Sequence, residues 1–216
     1  MARHKIQRRV SLRTDRNTFE RSSKELPGRE SVLIVCEDEK NAPQYFQALC
    51  RQLRISSATI SPDSGSAPIS VVDFAEQKYR RDNGYDKVFC VFDRDQHESY
   101  DRAIQKIDAL SAREQNPMPV SAGIAIPCFE LWFLLHFERT TRPMRTCDEV
   151  IGALTKHVPG YVKGKTDITE KLLPLTQQAI SNAIWLRKEH KKTGAGNPVT
   201  TVHQVVSYLV NLSKVE

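Results

Sequence analysis

Two short apolar runs that end directly in acid do most to constrain this chain. Ser31-Val-Leu-Ile-Val-Cys36 is followed at once by Glu37-Asp38-Glu39, and Lys87-Val-Phe-Cys-Val-Phe92 by Asp93-Arg94-Asp95. A β-branched run of this length with no polar alternation predicts a strand covered on both faces, which is the habit of parallel sheets flanked by helices. An acid abutting such a run lies beside a low-dielectric core and needs a partner there.

The intervening segments carry helical periods. After the polar turn Glu37 to Pro43, Phe46, Leu49 and Leu53 share one helix face up to about Arg54. A strand at about Ser57 to Ser61 leads into the loop Pro62 to Ser66, where Ser66 is the expected N-cap of a helix with Pro68 in its first turn, running to about Arg81. Helices are then expected over Glu98 to Ala112 and Cys128 to Phe137, with a strand at Val120 to Ile126 between them. Alternating strands and helices imply βαβ units and a mostly parallel sheet with right-handed crossovers. Beyond about Thr146 the period is helical only: Thr146 to His157, Asp167 to His190 interrupted or begun by Pro174, and Val199 to about Ser213. The reading is three segments: a basic flexible arm over 1–30, an α/β core over 31–140 and a helical extension over 141–216 packed on that core.

Charge and cysteine usage narrow the function classes. Nine Lys or Arg against four acids in residues 1–30 account for most of the net charge of +6. Such an arm can neutralise phosphates, or serve only as a solvated tail. No apolar run approaches the roughly 20 residues that cross a bilayer, so a cytoplasmic protein is expected. The five cysteines show no CxxC or CxH spacing, which argues against a zinc site and suggests reduced core thiols.

In a parallel sheet the carboxyl ends of the strands share one edge, where open α/β folds bind ligands. Glu37, Asp93, Asp95 and, after the fourth strand, Glu130 are therefore expected to converge. Asp93 and Asp95 alternate about Arg94, so on an extended chain both carboxylates face one side and suit one hard cation, Mg2+ or Mn2+. Glu37 is the further candidate ligand or general acid-base group. Each has a plainer reading: Asp93 and Asp95 as turn acids bonding their own backbone, Glu37 as a solvated loop residue, Glu130 as a first-turn acid facing the helix dipole. His97 is a candidate proton donor, substrate contact or metal ligand, or an idle loop residue, and His136 reads as a core histidine. Lys163 and Lys165 are short-spaced cations able to meet a phosphate.

The motifs together resemble the RloB-like family. They are Leu33-Ile-Val-Cys-Glu-Asp-Glu-Lys-Asn-Ala-Pro-Gln-Tyr-Phe46, Ser66-Ala-Pro68, Val91-Phe-Asp-Arg-Asp-Gln-His97, Pro127-Cys-Phe-Glu-Leu-Trp-Phe-Leu-Leu-His-Phe137, Tyr161-Val-Lys163 and Asn197-Pro-Val-Thr200. That family is similar to Toprim domains. The resemblance implies a Toprim-like core with Glu37 as the Toprim glutamate and Asp93 and Asp95 as its Asp-x-Asp pair. It further implies a nuclease of bacterial antiviral defence acting on RNA, including transfer RNA, in preference to DNA. Expected roles are catalysis for Glu37, Asp93, Asp95, Glu130 and His97, with metal on the first three, and substrate contacts for Lys163, Lys40, Arg94 and Ser66. A partner ATPase or other defence protein and a homo-oligomer fit the same picture. Relatives tend to read Ser-Asn before Pro-Cys-Phe-Glu, where this chain has Ala125-Ile126, which puts any contact from that polar pair in doubt. The rival reading is a binding module that senses nucleic acid or a nucleotide signal and cuts nothing. A topoisomerase is disfavoured, because no tyrosine sits in a strand-passage domain.

Overall fold

A computed structural model describes residues 29–63, 67–82, 84–94, 98–165 and 167–215. The basic arm, apart from its last residues Arg29 and Glu30, lies outside the described residues. Five strands form one sheet: β1 (Val32–Cys36), β2 (Ala58–Pro62), β3 (Lys87–Asp93), β4 (Val120–Ile126) and β5 (Val199–Thr200), in the order β2-β1-β3-β4-β5. The first four pair in parallel and only β5 runs antiparallel, against β4. This is the mostly parallel α/β architecture the sequence predicts, consistent with a Toprim-like fold.

The apolar runs are buried on both faces, and alternation decides which residue serves which layer. Val32, Ile34 and Cys36 of β1 join Phe89 and Val91 of β3 in one cluster. Leu33, Val35, Val88, Cys90 and Phe92 point into the other. The second face is covered by α2 (Pro68–Arg81) through Val71, Val72 and Ala75, and by α3 (Tyr100–Ser111) through Ala103, Ile107 and Leu110. The first is covered by α1 (Asn41–Leu53), α4 (Glu130–Leu134), α5 (Cys147–Leu154), α6 (Thr169–Leu172), α7 (Thr176–Thr193) and α8 (Val202–Leu212). The C-terminal helices thus supply much of one face's core, from Val150 and Leu154 through Ala183 and Leu186 to Val205 and Leu209. None of the helices among the described residues is long and apolar enough to cross a membrane.

Three local expectations need correction. The helix after β4 is short, Glu130–Leu134, because bonds at both ends, such as Leu131 N to Cys128 O and Phe137 N to Leu134 O, reach back three residues rather than four. Val199 and Thr200 are strand, not helix. Thr200 Oγ1 donates to Ile124 O at 2.8 Å, and Thr201 Oγ1 accepts from Ile124 N at 2.8 Å and donates to Ala122 O at 3.0 Å, fastening the segment to the edge of β4. The N-cap position of α2 is Ala67, which has no capping side chain, and Ser66 lies outside the described residues. Pro174 does interrupt the long helical stretch, within a 3-10 turn over Leu173–Leu175.

Candidate active site

The carboxyl edge is stitched together by the acids themselves. Glu37 follows β1, its N–H donates to Val91 O at 2.9 Å, and its Oε2 accepts the Asp93 N–H at 2.9 Å. β1 and β3 pair with Cys36 opposite Val91, so Glu37 and Asp93, the last residue of β3, meet across adjacent strand ends. Asp38 turns the other way. Its carboxylate accepts the N–H groups of Lys40 at 3.0 Å and Ala42 at 3.1 Å, capping α1 from two residues ahead.

Glu130 is completely buried at 0% exposure in the first turn of α4. It accepts from Asn41 Nδ2 at 2.7 Å and from Tyr161 OH at 3.3 Å, and pairs with Lys163 Nζ at 3.3 Å. Lys163 is presented by a turn whose next residue, Gly164, has φ +69° and donates its N–H to Asn41 Oδ1 at 3.2 Å. A side chain at Gly164 would be strained by that backbone, and Lys40 Cδ would stand 3.6 Å from its Cβ. Lys163 is also the cation facing Asp93. Burial alone would lower its pKa, but the charges of Glu130, Asp93 and Asp38 outweigh burial and raise it.

The same charges act in reverse on the acids. Burial raises Asp93 well above the usual carboxylate range; Lys163 opposes this, while Glu130, Glu37 and Asp38 reinforce it. Asp38 is raised too, again chiefly by burial and partly offset by its backbone bonds to Ala42 and Lys40. Two recesses open on this edge. A smaller one is lined by Glu37, Asp38, Asp93, Phe129 and Lys163. A larger cavity of about 770 Å³ has Asp93, Arg94, Cys128, Arg145, Lys163 and Asn197 among its lining.

Of the residues expected from sequence, the fold brings Glu37, Asp93, Glu130 and Lys163 together. Arg94 lines the larger cavity with its guanidinium 4.9 Å from the Tyr100 ring centre, and Lys40 runs beside the Gly164 turn. Asp95, His97 and Ser66 lie outside the described residues. His136 is a core residue, its Nδ1 on Trp132 O at 2.8 Å.

A model of the RloB-like protein family matches residues 32–209. The chain belongs to the RloB-like family. No curated protein and no solved structure matches it. Within this RloB-like chain, sequence reasoning passed over Asn41, Arg145 and the pairing of Cys128 with Cys147. Five reduced thiols are expected from the spacing, yet these two form a disulfide, and Cys36, Cys50 and Cys90 stand outside it. The reason is topological: Cys128 follows β4, and the chain returns 19 residues later to place the first residue of α5 against it, at a spacing no metal or disulfide motif announces. A signal for Asn41 was available, since an amide closing an acidic turn and opening a helix is suited to bridging side chains.

Proposed function

We propose that this RloB-like chain is a metal-dependent endonuclease that hydrolyses phosphodiester bonds, in RNA rather than DNA, within a bacterial antiviral defence system. The carrying observation is the pair Glu37 and Asp93, hydrogen-bonded across adjacent strand ends and opening onto recesses lined by Lys163, Arg94 and Arg145. Hard carboxylate oxygens beside a cation-lined recess suit Mg2+ or Mn2+, which take one or two carboxylates together with substrate phosphate oxygens. Asp93 and Glu37, with Asp95 next in chain, would hold that cation, which when bound supplies an activated water and shields the leaving oxygen.

The chain's own groups divide the remaining work. Lys163 faces Asp93 and meets the charge of a phosphodiester, and Arg94 and Arg145 extend the positive lining for the strand on either side. Glu130, fully buried and engaged on Asn41, Tyr161 and Lys163, acts by positioning Lys163 rather than by moving a proton. A partner ATPase or other defence protein would restrain the activity until infection, and self-association would enlarge the surface that grips RNA.

The test is incubation of purified protein with total RNA and with plasmid DNA, in Mg2+, in Mn2+ and in EDTA, beside the Asp93→Asn and Asp95→Asn double variant. Discrete RNA fragments that disappear in EDTA and with the variant are expected. Cleavage that survives both substitutions refutes the assignment. Binding without cleavage in every lane, with or without the partner, would favour a nucleic-acid-sensing module. That reading draws on the engagement of Asp38 with the helix N-terminus and of Glu37 with the Asp93 backbone.

A further inference from the structure

The Cys128–Cys147 disulfide opens on the larger cavity, where both residues share the lining with Asp93, Arg94 and Lys163. The three cysteines outside the disulfide are different in kind. All are buried, and burial pushes the Cys36 thiol well up and the Cys90 thiol to about 12, leaving these two protonated and slow to exchange. The bonded pair is asymmetric. Cys128 is 3% exposed, whereas Cys147 is half-buried at the first position of α5.

Cys147 Sγ lies 3.1 Å from Glu130 Oε2 and 3.6 Å from Lys163 Nζ. A disulfide sulfur carries no proton, so neither contact is a donated S–H bond while the cystine is closed. Once reduced, the same sulfur donates to the Glu130 carboxylate if protonated; if ionised it meets the Lys163 ammonium and a helix N-terminus, which offset the like charge of Glu130. Both protonation states therefore find a partner already in place.

We propose that Cys128–Cys147 is a reversible thiol-exchange site, opened by small thiols that enter through the cavity and attack the Cys147 sulfur. An incoming thiolate RS⁻ bonds to Cys147 Sγ, the Cys128–Cys147 bond breaks, and its electron pair leaves on Cys128 Sγ, which takes a proton from solvent. A second thiolate attacks the R-group sulfur of the mixed disulfide and forms RSSR. Cys147 then leaves as a thiolate beside Lys163 and takes the second proton from solvent. The cystine gains two electrons and two protons, and two RSH are oxidised to one RSSR; a disulfide RSSR drives the reverse sequence. This chemistry stands whether or not the cavity cuts nucleic acid.

The test equilibrates the full chain in glutathione buffers from reducing to oxidising, then quenches in acid, unfolds, alkylates and weighs the protein. Five alkylated cysteines at the reducing end and three at the oxidising end, interconverting in both directions, are expected. In oxidised glutathione, native Cys128→Ser is expected to carry one adduct on Cys147, with Cys128→Ala as a second variant that avoids a buried hydroxyl. Native Cys147→Ser is expected to carry none on Cys128. Five free thiols at every buffer composition would overturn the proposal, as would an adduct on Cys128 in place of Cys147. Protection released by a chelator and not by a reductant would also overturn it. That result would assign Cys128, Glu130 and Cys147, whose ligand atoms lie within 4.8 Å of one another, to a metal instead.

Discussion

Replacing Lys163 should destabilise the fold more than replacing Glu130, although the two are halves of one ion pair. Glu130 is 0% exposed while the Lys163 side chain is 45% exposed, so only one of them can turn to water when its partner is lost. In Lys163→Met the Glu130 carboxylate stays buried with two neutral donors, Asn41 and Tyr161, and no cation. Breaking a buried pair in this way costs about 3–5 kcal/mol, which water at the Lys163 end reduces to about 2–3 kcal/mol. In Glu130→Gln the new amide oxygen still accepts from Asn41 and Tyr161, and Lys163 swings outward, at a cost of about 1 kcal/mol. With a urea slope of about 2 kcal/mol/M, the midpoints fall by about 1–1.5 M for Lys163→Met and about 0.5 M for Glu130→Gln. The double variant should lose about as much as Glu130→Gln, since no buried charge then remains to be abandoned. Melts run without reductant keep the disulfide closed. An equal or larger midpoint loss for Glu130→Gln would show that burial does not decide which half of this pair matters.

Two glycines give opposite expectations from the same substitution. A Cβ at Gly123 in β4 would stand 3.0 Å from Val205 Cγ2 and 3.1 Å from Val91 Cγ2, so Gly123→Ala should cost about 1–3 kcal/mol by thermal or urea melting. At Gly152, inside α5, nothing lies within 4 Å of the added Cβ, and Gly152→Ala should gain about 0.5–1 kcal/mol. Burial lowers His136 to about 4; His203 is likewise lowered to about 4, by burial and then by Arg187. The unfolded chain therefore binds protons first. Stability is full above about pH 6.5 and is lost as pH falls toward 4, by up to about 3 kcal/mol per histidine. Urea midpoints at pH 7, 5.5 and 4.5 should show this slope, and His203→Gln should remove its share; an unchanged slope would contradict the assignment.

The sheet was legible because β1 and β3 carry the signature of a doubly covered strand in adjacent residues, and β4 ended at Ile126 as expected. The convergence of Glu37, Asp93 and Glu130 followed from parallel topology alone. β5 was not legible: two residues have no measurable period, and Val199-Thr200 becomes strand only because Thr200 and Thr201 find the carbonyls and N–H of β4. The disulfide and the anchoring of Lys163 on Glu130 were hidden for the same reason. Both join segments whose approach is set by how the C-terminal helices pack on the sheet, and no local pattern records that packing.

The acids of the site are equivalent in sequence and unequal in structure, and the difference lies in what each already holds. Asp38 spends its oxygens on the N–H groups of Lys40 and Ala42, and Glu130 spends its own on Asn41, Tyr161 and Lys163. Glu37 gives one oxygen to the Asp93 backbone. The Asp93 carboxylate is set at the end of a buried strand among Glu37, Asp38 and Glu130, with Lys163 as its compensating charge. An acid held against burial and like charge costs the fold stability, and removing its charge should return some of it. Asp93→Asn is therefore expected to stabilise the fold at neutral pH by on the order of 1 kcal/mol, raising the urea midpoint by about 0.5 M, while abolishing the proposed metal-dependent cleavage. The opposing signs separate a functional acid from a structural one: if Asp93→Asn instead destabilises the fold, Asp93 is a strut of the sheet edge, and the proposed metal role falls to its neighbours.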